Sequence, residues 1–314
     1  MSDYLQSVEG FDTYKVKIIR DVLIDEARSN RPVKIKIYYP EDCEGEQKLP
    51  VVCWSHGLGG GADGAAFLAR YISEHGYVVV NMQHHGTDTT IWEGKPGHPW
   101  DVIRATEITR DMTLNRYRDV PFVLDSLPEF LVDYQDVARM ADLSTIGMSG
   151  HSFGALTTQV NMGMLFPNEK NELASFSDSR FKAAIAYSPG DISHLGDFDE
   201  AQAYGAIDRP ILHMTGTEDK SPLTNEGYEL RLKAYQGSSD KEGKHLLVIK
   251  DADHMVFVGS RGKLGASKNR EKHENIIKTF ALAYWDAMLK EDEAAKDWLK
   301  NEAQNWLNGE GSFK

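Results

Sequence analysis

The chain has 314 residues, with 48 acidic and 35 basic side chains and a net charge of −13. That balance opposes nonspecific binding to nucleic acid and to anionic membrane surfaces. At 41% hydrophobic residues the chain can bury a sizeable core, and its two cysteines, Cys43 and Cys53, exclude a disulfide scaffold.

Tyr14 to Arg20 and Val33 to Tyr39 alternate apolar and polar residues, which predicts two half-buried strands. The turn-rich DEARSNRP between them predicts an antiparallel lead-in to a sheet. Pro50 to Ser55 (PVVCWS) is a continuous apolar run, as a strand covered on both faces requires, and it places Cys53 as a buried thiol. The glycine-rich His56 to Gly61 follows, then a helix from Ala65 to Glu74 and a buried strand over Tyr77 to Gln83.

His84 to Asp111 is the least regular part, with Gly86, Gly94, Pro96, Gly97 and Pro99 beside Trp92 and Trp100. Long loops of this kind are often lids. Residues 84–111 are therefore a candidate pocket cover, with His84, His85 and Trp92 as candidate pocket residues. Helical spacing resumes over Asp111 to Asp125. Further strands are expected at Phe181 to Tyr187, Pro210 to Met214 and His245 to Lys250. Further helices are expected at Glu226 to Tyr235, Asn275 to Lys290 and Ala294 to Leu307. Strand and helix alternate from residue 50 onward, which argues a mainly parallel sheet with helices on both faces. No repeat, low-complexity tract or composition break appears, so residues 1–314 are expected to form a single domain. MSDYLQSVEG lacks a signal-peptide pattern and no apolar stretch reaches transmembrane length. The expectation is a cytoplasmic protein without integral membrane association; a secreted or periplasmic protein lacking its signal would read the same. Oligomeric state has no sequence signal.

The chemistry centres on Leu143 to Thr158, LSTIGMSGHSFGALTT. Gly150-His151-Ser152-Phe153-Gly154 is G-x-S-x-G between a strand and a helix, the context in which a serine hydroxyl is presented on a strained turn. Small residues two before and two after the serine leave room for that turn. The helix N-terminus beside it favours developing negative charge. His151 is expected to pack beside the nucleophile. Three more features fall at strand C-terminal ends, where open α/β sheets place their sites. In His56-Gly57-Leu58-Gly59-Gly60 the glycines let a backbone N–H turn inward, so Leu58 and Phe153 are the candidate oxyanion-hole donors. Gly216-Thr217-Glu218-Asp219 offers a carboxylate that can orient a histidine, with Asp191 as the rival acid. Asp253-His254 supplies the histidine. The order Ser152, Asp219, His254 is that of the α/β-hydrolases. No histidine–carboxylate spacing indicates a metal site.

The sequence resembles the α/β-hydrolase superfamily and, within it, the esterases similar to dienelactone hydrolases and platelet-activating-factor acetylhydrolases. The resemblance rests on RPVKIKIYYP (Arg31 to Pro40), WSHGLGG (Trp54 to Gly60), NRYRDVPFVLD (Asn115 to Asp125), GHSFG, GTEDKSP and DADH. It implies an α/β-hydrolase fold and a cofactor-free serine carboxylesterase acting on small or medium esters. Two departures matter. The acid of the animal acetylhydrolases follows the strand after the nucleophile, where this chain has Ser188, and dienelactone hydrolases use a cysteine where this chain has Ser152. Other readings are a lipase-like, polyester or phospholipid acyl hydrolase, a thioesterase, an amidase, or a hydrolase-fold binding module that keeps the residues without the chemistry.

Overall fold

A strand buried on both faces must be apolar at successive positions, while one at a sheet edge can alternate. The computed structural model, which describes residues 3–41, 43, 48–193, 196, 198–223, 226–259 and 269–314, orders the strands by that logic. Helix α1 (Asp3–Glu9) precedes β1 (Val16–Asp25) and β2 (Arg31–Pro40). Next come β3 (Leu49–Ser55), α2 (Ala66–Glu74), β4 (Val78–His84), α3 (Pro99–Ala105), α4 (Arg110–Phe130) and α5 (Gln135–Met140). β5 (Ala141–His151) leads into α6 (Phe153–Asn161), and β6 (Phe166–Pro167) and β7 (Leu173–Ala174) form a separate short ribbon. β8 (Phe181–Tyr187), α7 (Glu200–Gly205), β9 (Ile211–Glu218), α8 (Leu232–Gly237) and β10 (His245–Asp253) continue the alternation. α9 (Arg270–Leu289), α10 (Glu293–Asn301), α11 (Ala303–Trp306) and β11 (Gly311–Phe313) come last.

The nine-stranded sheet has the order β1-β2-β4-β3-β5-β8-β9-β10-β11. Pairings from β4 through β3, β5, β8 and β9 to β10 are parallel, while β1–β2, β2–β4 and β10–β11 are antiparallel. The protein is thus α/β with a mixed, mostly parallel sheet. Its faces carry separate cores. Val51 and Cys53 of β3 pack with Leu114, Tyr117, Val123, Leu156 and Val160 on the α4 and α6 side. Val52 and Trp54 pack with Leu68, Ile72, Phe280, Trp285 and Trp298 on the α2, α9 and α10 side. Cys53 is fully buried and its thiol is pushed up to about 12 by that burial; it and Cys43 are both free.

Several boundaries depart from the sequence pattern. α4 runs through Pro121 and Pro128 rather than ending at Asp125. An interior proline costs roughly 3 kcal/mol, but α4 buries Leu114, Tyr117, Val120, Val123, Leu124 and Leu127, each worth roughly 1.5–3 kcal/mol. The helix expected from Glu226 is delayed because Gly227 is extended; a 3₁₀ turn at Tyr228–Arg231 precedes α8. The last expected helix is split between α10 and α11 at Glu302 (φ −121°, ψ −28°). Strand β11 gave no sequence signal. Among the described residues, no helix is long and apolar enough to cross a membrane.

Candidate active site

The turn from β5 into α6 is built by two glycines and one strained serine. A Cβ on Gly154 would lie 1.9 Å from the Ser55 carbonyl oxygen, and one on Gly150 would lie 2.3 Å from the Gly154 carbonyl oxygen and 2.7 Å from that of Ser55. Only glycine lets β3 and the turn approach this closely. Ser152 itself adopts φ 56° and ψ −115°, a conformation costing roughly 1–3 kcal/mol. The turn is held by the hydrogen bond that the Ser152 N–H donates to the Tyr187 carbonyl (2.9 Å) and by the α6 bonds that the Ala155 and Leu156 N–H groups donate back to the Ser152 carbonyl. The half-buried side chain is left facing a cavity.

Asp219 and His254 meet because of strand register. β9 and β10 run parallel with Ile249 beside Gly216 and Asp253 beside Glu218. The next residue on each strand is Asp219 and His254. A bulge between Ile249 and Asp253, with Asp251 at φ 57°, takes up the unequal spacing. Gly216 makes the bulge possible, since a Cβ there would sit 2.2 Å from the Ala252 carbonyl oxygen. His254 Nδ1–H donates to Asp219 Oδ1 at 2.8 Å. Asp219 also accepts from Ser188 Oγ (2.9 Å) and from Thr215 Oγ1 (2.8 Å), and Arg231 Nε lies 3.2 Å from its Oδ1. Burial alone would push this carboxyl up. The charge and hydrogen bond of His254, the Arg231 cation and the Ser188 hydroxyl together pull it down to about 2. Arg231 Nη2 also approaches His254 Nδ1 at 3.3 Å, but both atoms carry hydrogens in this tautomer, so the contact is not a hydrogen bond. His151 Nε2–H donates to the His254 carbonyl (2.8 Å) and fixes the loop from beneath.

Asp191 stands elsewhere. It pairs with Lys233 Nζ at 3.1 Å and accepts from Ser193, with no contact to His254.

The glycine loop after β3 flanks the serine. A Cβ on Gly57 would come within 3.4 Å of Ser152 Cβ. The Gly59 N–H is taken by Thr87 (2.9 Å) and the Gly60 N–H by Gly57 (3.0 Å). Among the described residues, no protein acceptor takes the N–H of Leu58 or of Phe153, the first residue of α6. If the Leu58 N–H binds a developing oxyanion, Leu58→Ala should keep most activity. Leu58→Pro, which removes the donor, should lower turnover about 10²–10³-fold. Steady-state rates of the two folded variants on one nitrophenyl ester test this, and equal rates would rule the donor out.

Ser152 lies where two cavities adjoin. One, of about 330 Å³, is walled by Trp54, Trp92, Trp100 and Ile103 together with His151 and His254. The other, of about 580 Å³, lies on the Phe153, Leu156 and Phe166 side. Leu58, Ser152, Pro222 and Leu223 border both. The segment 84–111 thus contributes walls. Trp92 and α3 close the first cavity, Trp92 Nε1–H donates to the Gly59 carbonyl (2.7 Å), and Arg104 reaches the Pro222 carbonyl (3.0 Å).

His84 and His85 line neither cavity, a correction to the sequence reading. At the end of β4 the fully buried His84 turns inward, where Nδ1–H donates to Asp119 (3.1 Å) and Nε2 accepts from Ser55 Oγ (2.9 Å). His85 points outward, and its carbonyl accepts from Arg31 (2.8 Å).

Sequence reasoning missed the group around Arg116. This fully buried guanidinium donates to Thr157 Oγ1 (2.7 Å), Thr87 Oγ1 (3.0 Å), Ser55 Oγ (3.0 Å) and the His56 carbonyl, and it lies 4.6 Å from the Phe153 ring centroid. It therefore ties the glycine loop to α6. Burial pushes it down to about 9. The signal was present, since Arg116 and Asp119 interrupt the apolar stripe of α4 at i, i+3 spacing.

Burial, reinforced by the Arg116 charge, lowers His84 to about 4 and His56 well below its ordinary value. Burial and the neighbouring His254 charge do the same for His151, and burial lowers His213 to about 3. These folded-state values lie below the unfolded one, near 6.5, so the unfolded chain binds protons first as pH falls. Stability from neutral histidines is then full above about pH 6.5 and is lost toward the folded values, at about 1.4 kcal/mol per pH unit for each proton taken up on unfolding. Urea midpoints should fall steadily between pH 6.5 and pH 4; a flat profile there would contradict the buried, neutral state.

Among the described residues, no three His, Cys, Asp or Glu side chains gather as a metal site. Compared with protein-family models and with curated proteins, the sequence has no match.

Proposed function

We propose that this protein is a serine carboxylic-ester hydrolase of the α/β-hydrolase type, acting on small-molecule esters through Ser152, His254 and Asp219. The observation that carries the reading is a carboxylate-bound histidine and a serine on a strained strand-to-helix turn opening into one cavity. The strand order supports it, because the serine follows β5, the acid β9 and the histidine β10, the chain order Ser, Asp, His of that fold.

In the proposed reaction His254 Nε2 takes the Ser152 proton as the serine attacks the ester carbonyl. Asp219 holds the Nδ1–H tautomer and stabilises the imidazolium. The N–H groups of Leu58 and Phe153 receive the oxyanion. His254 then protonates the departing alcohol and activates the water that hydrolyses the acyl-enzyme. The residues supply every proton transfer in this scheme, so it calls for no cofactor.

One observation favours the rival reading of a binding module: Ser152 Oγ makes no hydrogen bond to His254 among the described residues. Catalytic hydrogen bonds are often long in unliganded sites and tighten in the reacting complex. Incubation with a fluorophosphonate and mass spectrometry of the adduct decides between the two. Stoichiometric labelling at Ser152, with turnover of nitrophenyl esters, is expected; a folded protein that neither labels nor turns over is a binding module.

A further inference from the structure

The two cavities that meet at Ser152 differ in one respect that chemistry can use. His254 lines the smaller one and does not line the larger one. In acyl transfer the group that accepts the serine proton must next deliver it to the leaving oxygen, so that oxygen has to lie within hydrogen-bond reach of His254. The acyl substituent on the same tetrahedral carbon points away from it. Phe153, whose N–H is one of the two oxyanion donors in the reading above, lines only the larger cavity, and Leu58, the other, borders both. An oxyanion held between them directs its two remaining substituents into opposite compartments.

We propose that the tryptophan-walled cavity of about 330 Å³ holds the alcohol portion of the substrate and that the cavity of about 580 Å³ beyond Phe153 holds the acyl portion. The substrate class is then an ester whose acyl group is larger than its alcohol, with a compact, apolar or ring-bearing alcohol. This assignment rests on the serine-esterase reading. The alcohol side is bounded by flat indoles of Trp54, Trp92 and Trp100, which bury ring surface well. The acyl side offers Ile108, Leu156, Phe166 and Leu230 as apolar wall. Three of its charges are engaged within the protein: Asp191 is held by Lys233, Arg110 donates to the Pro167 and Asn168 carbonyls, and Arg231 faces Asp219. Glu107, exposed on the same wall, and Glu226 add negative charge. An apolar acyl chain therefore fits this side better than an anionic one.

The test uses the intact protein and two matched ester series. One varies the acyl chain from acetyl to dodecanoyl on nitrophenol. The other varies the alcohol from methanol through cyclohexanol to 2-naphthol on a butanoyl group. In the wild type kcat/KM should rise with acyl length into the medium-chain range. Ile108→Trp, which fills the larger cavity, should lower the ratio of long-chain to acetyl ester about tenfold or more while alcohol preference keeps its order, the effect expected from an apolar pocket altered by a few carbon atoms. Trp100→Ala should shift the ratio of naphthyl to methyl ester by a similar factor while acyl preference keeps its order. Leu230→Phe and Ile103→Ala repeat the two arms if either first variant fails to fold. The swapped pattern, with Trp100→Ala changing acyl preference and Ile108→Trp changing alcohol preference, overturns the assignment and leaves the esterase reading intact. Absence of both turnover and fluorophosphonate labelling in folded wild type overturns both.

Discussion

Replacing Ser152 with alanine should abolish ester hydrolysis and leave the fold in place. The serine is the only hydroxyl at the β5–α6 turn that faces the cavity walled by His254. Removing a nucleophile of this kind typically costs on the order of 10⁶ in turnover, with a residual of about 10³–10⁴ over water from the oxyanion donors and binding. Because the Ser152 side chain accepts no helix-capping bond, alanine forfeits none there. Its backbone bond to Tyr187 remains, so the thermal midpoint should stay within a few degrees. Nitrophenyl-ester turnover and a thermal melt on the same preparation test this. Substantial turnover by a folded Ser152→Ala protein would end the proposed mechanism.

Asp219→Asn should be nearly as damaging, and Asp191→Asn should be mild. An asparagine at 219 can present its NH₂ to the ring, which favours the tautomer with hydrogen on Nε2, the wrong one for a base. The loss in the type case is on the order of 10⁴. Here the substitution also leaves Arg231 beside His254 without its carboxylate partner, which further disfavours the imidazolium. Asp191 by contrast binds Lys233 and Ser193 at the wall of the larger cavity, so its asparagine variant should change turnover by a few-fold at most. Parallel rates on one ester at neutral pH discriminate the two. A large loss for Asp191→Asn with near wild-type activity for Asp219→Asn would move the acid to the loop after β8.

The sequence made legible what depends on local pattern. Continuous apolar runs at Pro50 to Ser55 and Phe181 to Tyr187 marked interior strands, whereas VKIKIYY, expected to be half-buried from its alternation, is buried from Ile35 to Tyr39 because β2 lies between β1 and β4, with Lys36 paired to Asp63. Ser152, Asp219 and His254 stood out because each follows such a run. What was not legible depends on contacts between distant segments. Arg116 meets His56 across 60 residues and Thr157 across 41, and no spacing rule connects those positions. Arg231 reaches Asp219 from the 3₁₀ turn at Tyr228–Arg231, which follows the extended Gly227 and had no signal in the local pattern. His84 was misjudged for a simpler reason: at a strand end, a shift of one residue exchanges the buried face for the open one. Ser188 was visible only as a departure from the resembling family, whereas its hydroxyl sits against both Asp219 and His254.

The bulge in β10 has a consequence for how the cavity walls can change. Asp219 and His254 are indexed to each other by hydrogen-bonded rungs, Ile249 on Gly216 and Asp253 on Glu218. Among the described residues of the 25-residue excursion from Lys220 to Lys244 that joins their strands, Arg231 is the side chain that reaches the pair. The same excursion supplies Pro222, Leu223 and Leu230 to the cavity walls. Changes in the described stretches on either side of Arg231 should therefore alter the cavity walls without shifting the alignment of Asp219 and His254. Strand register thus sets the alignment of the two side chains, while the excursion shapes the cavity beside them.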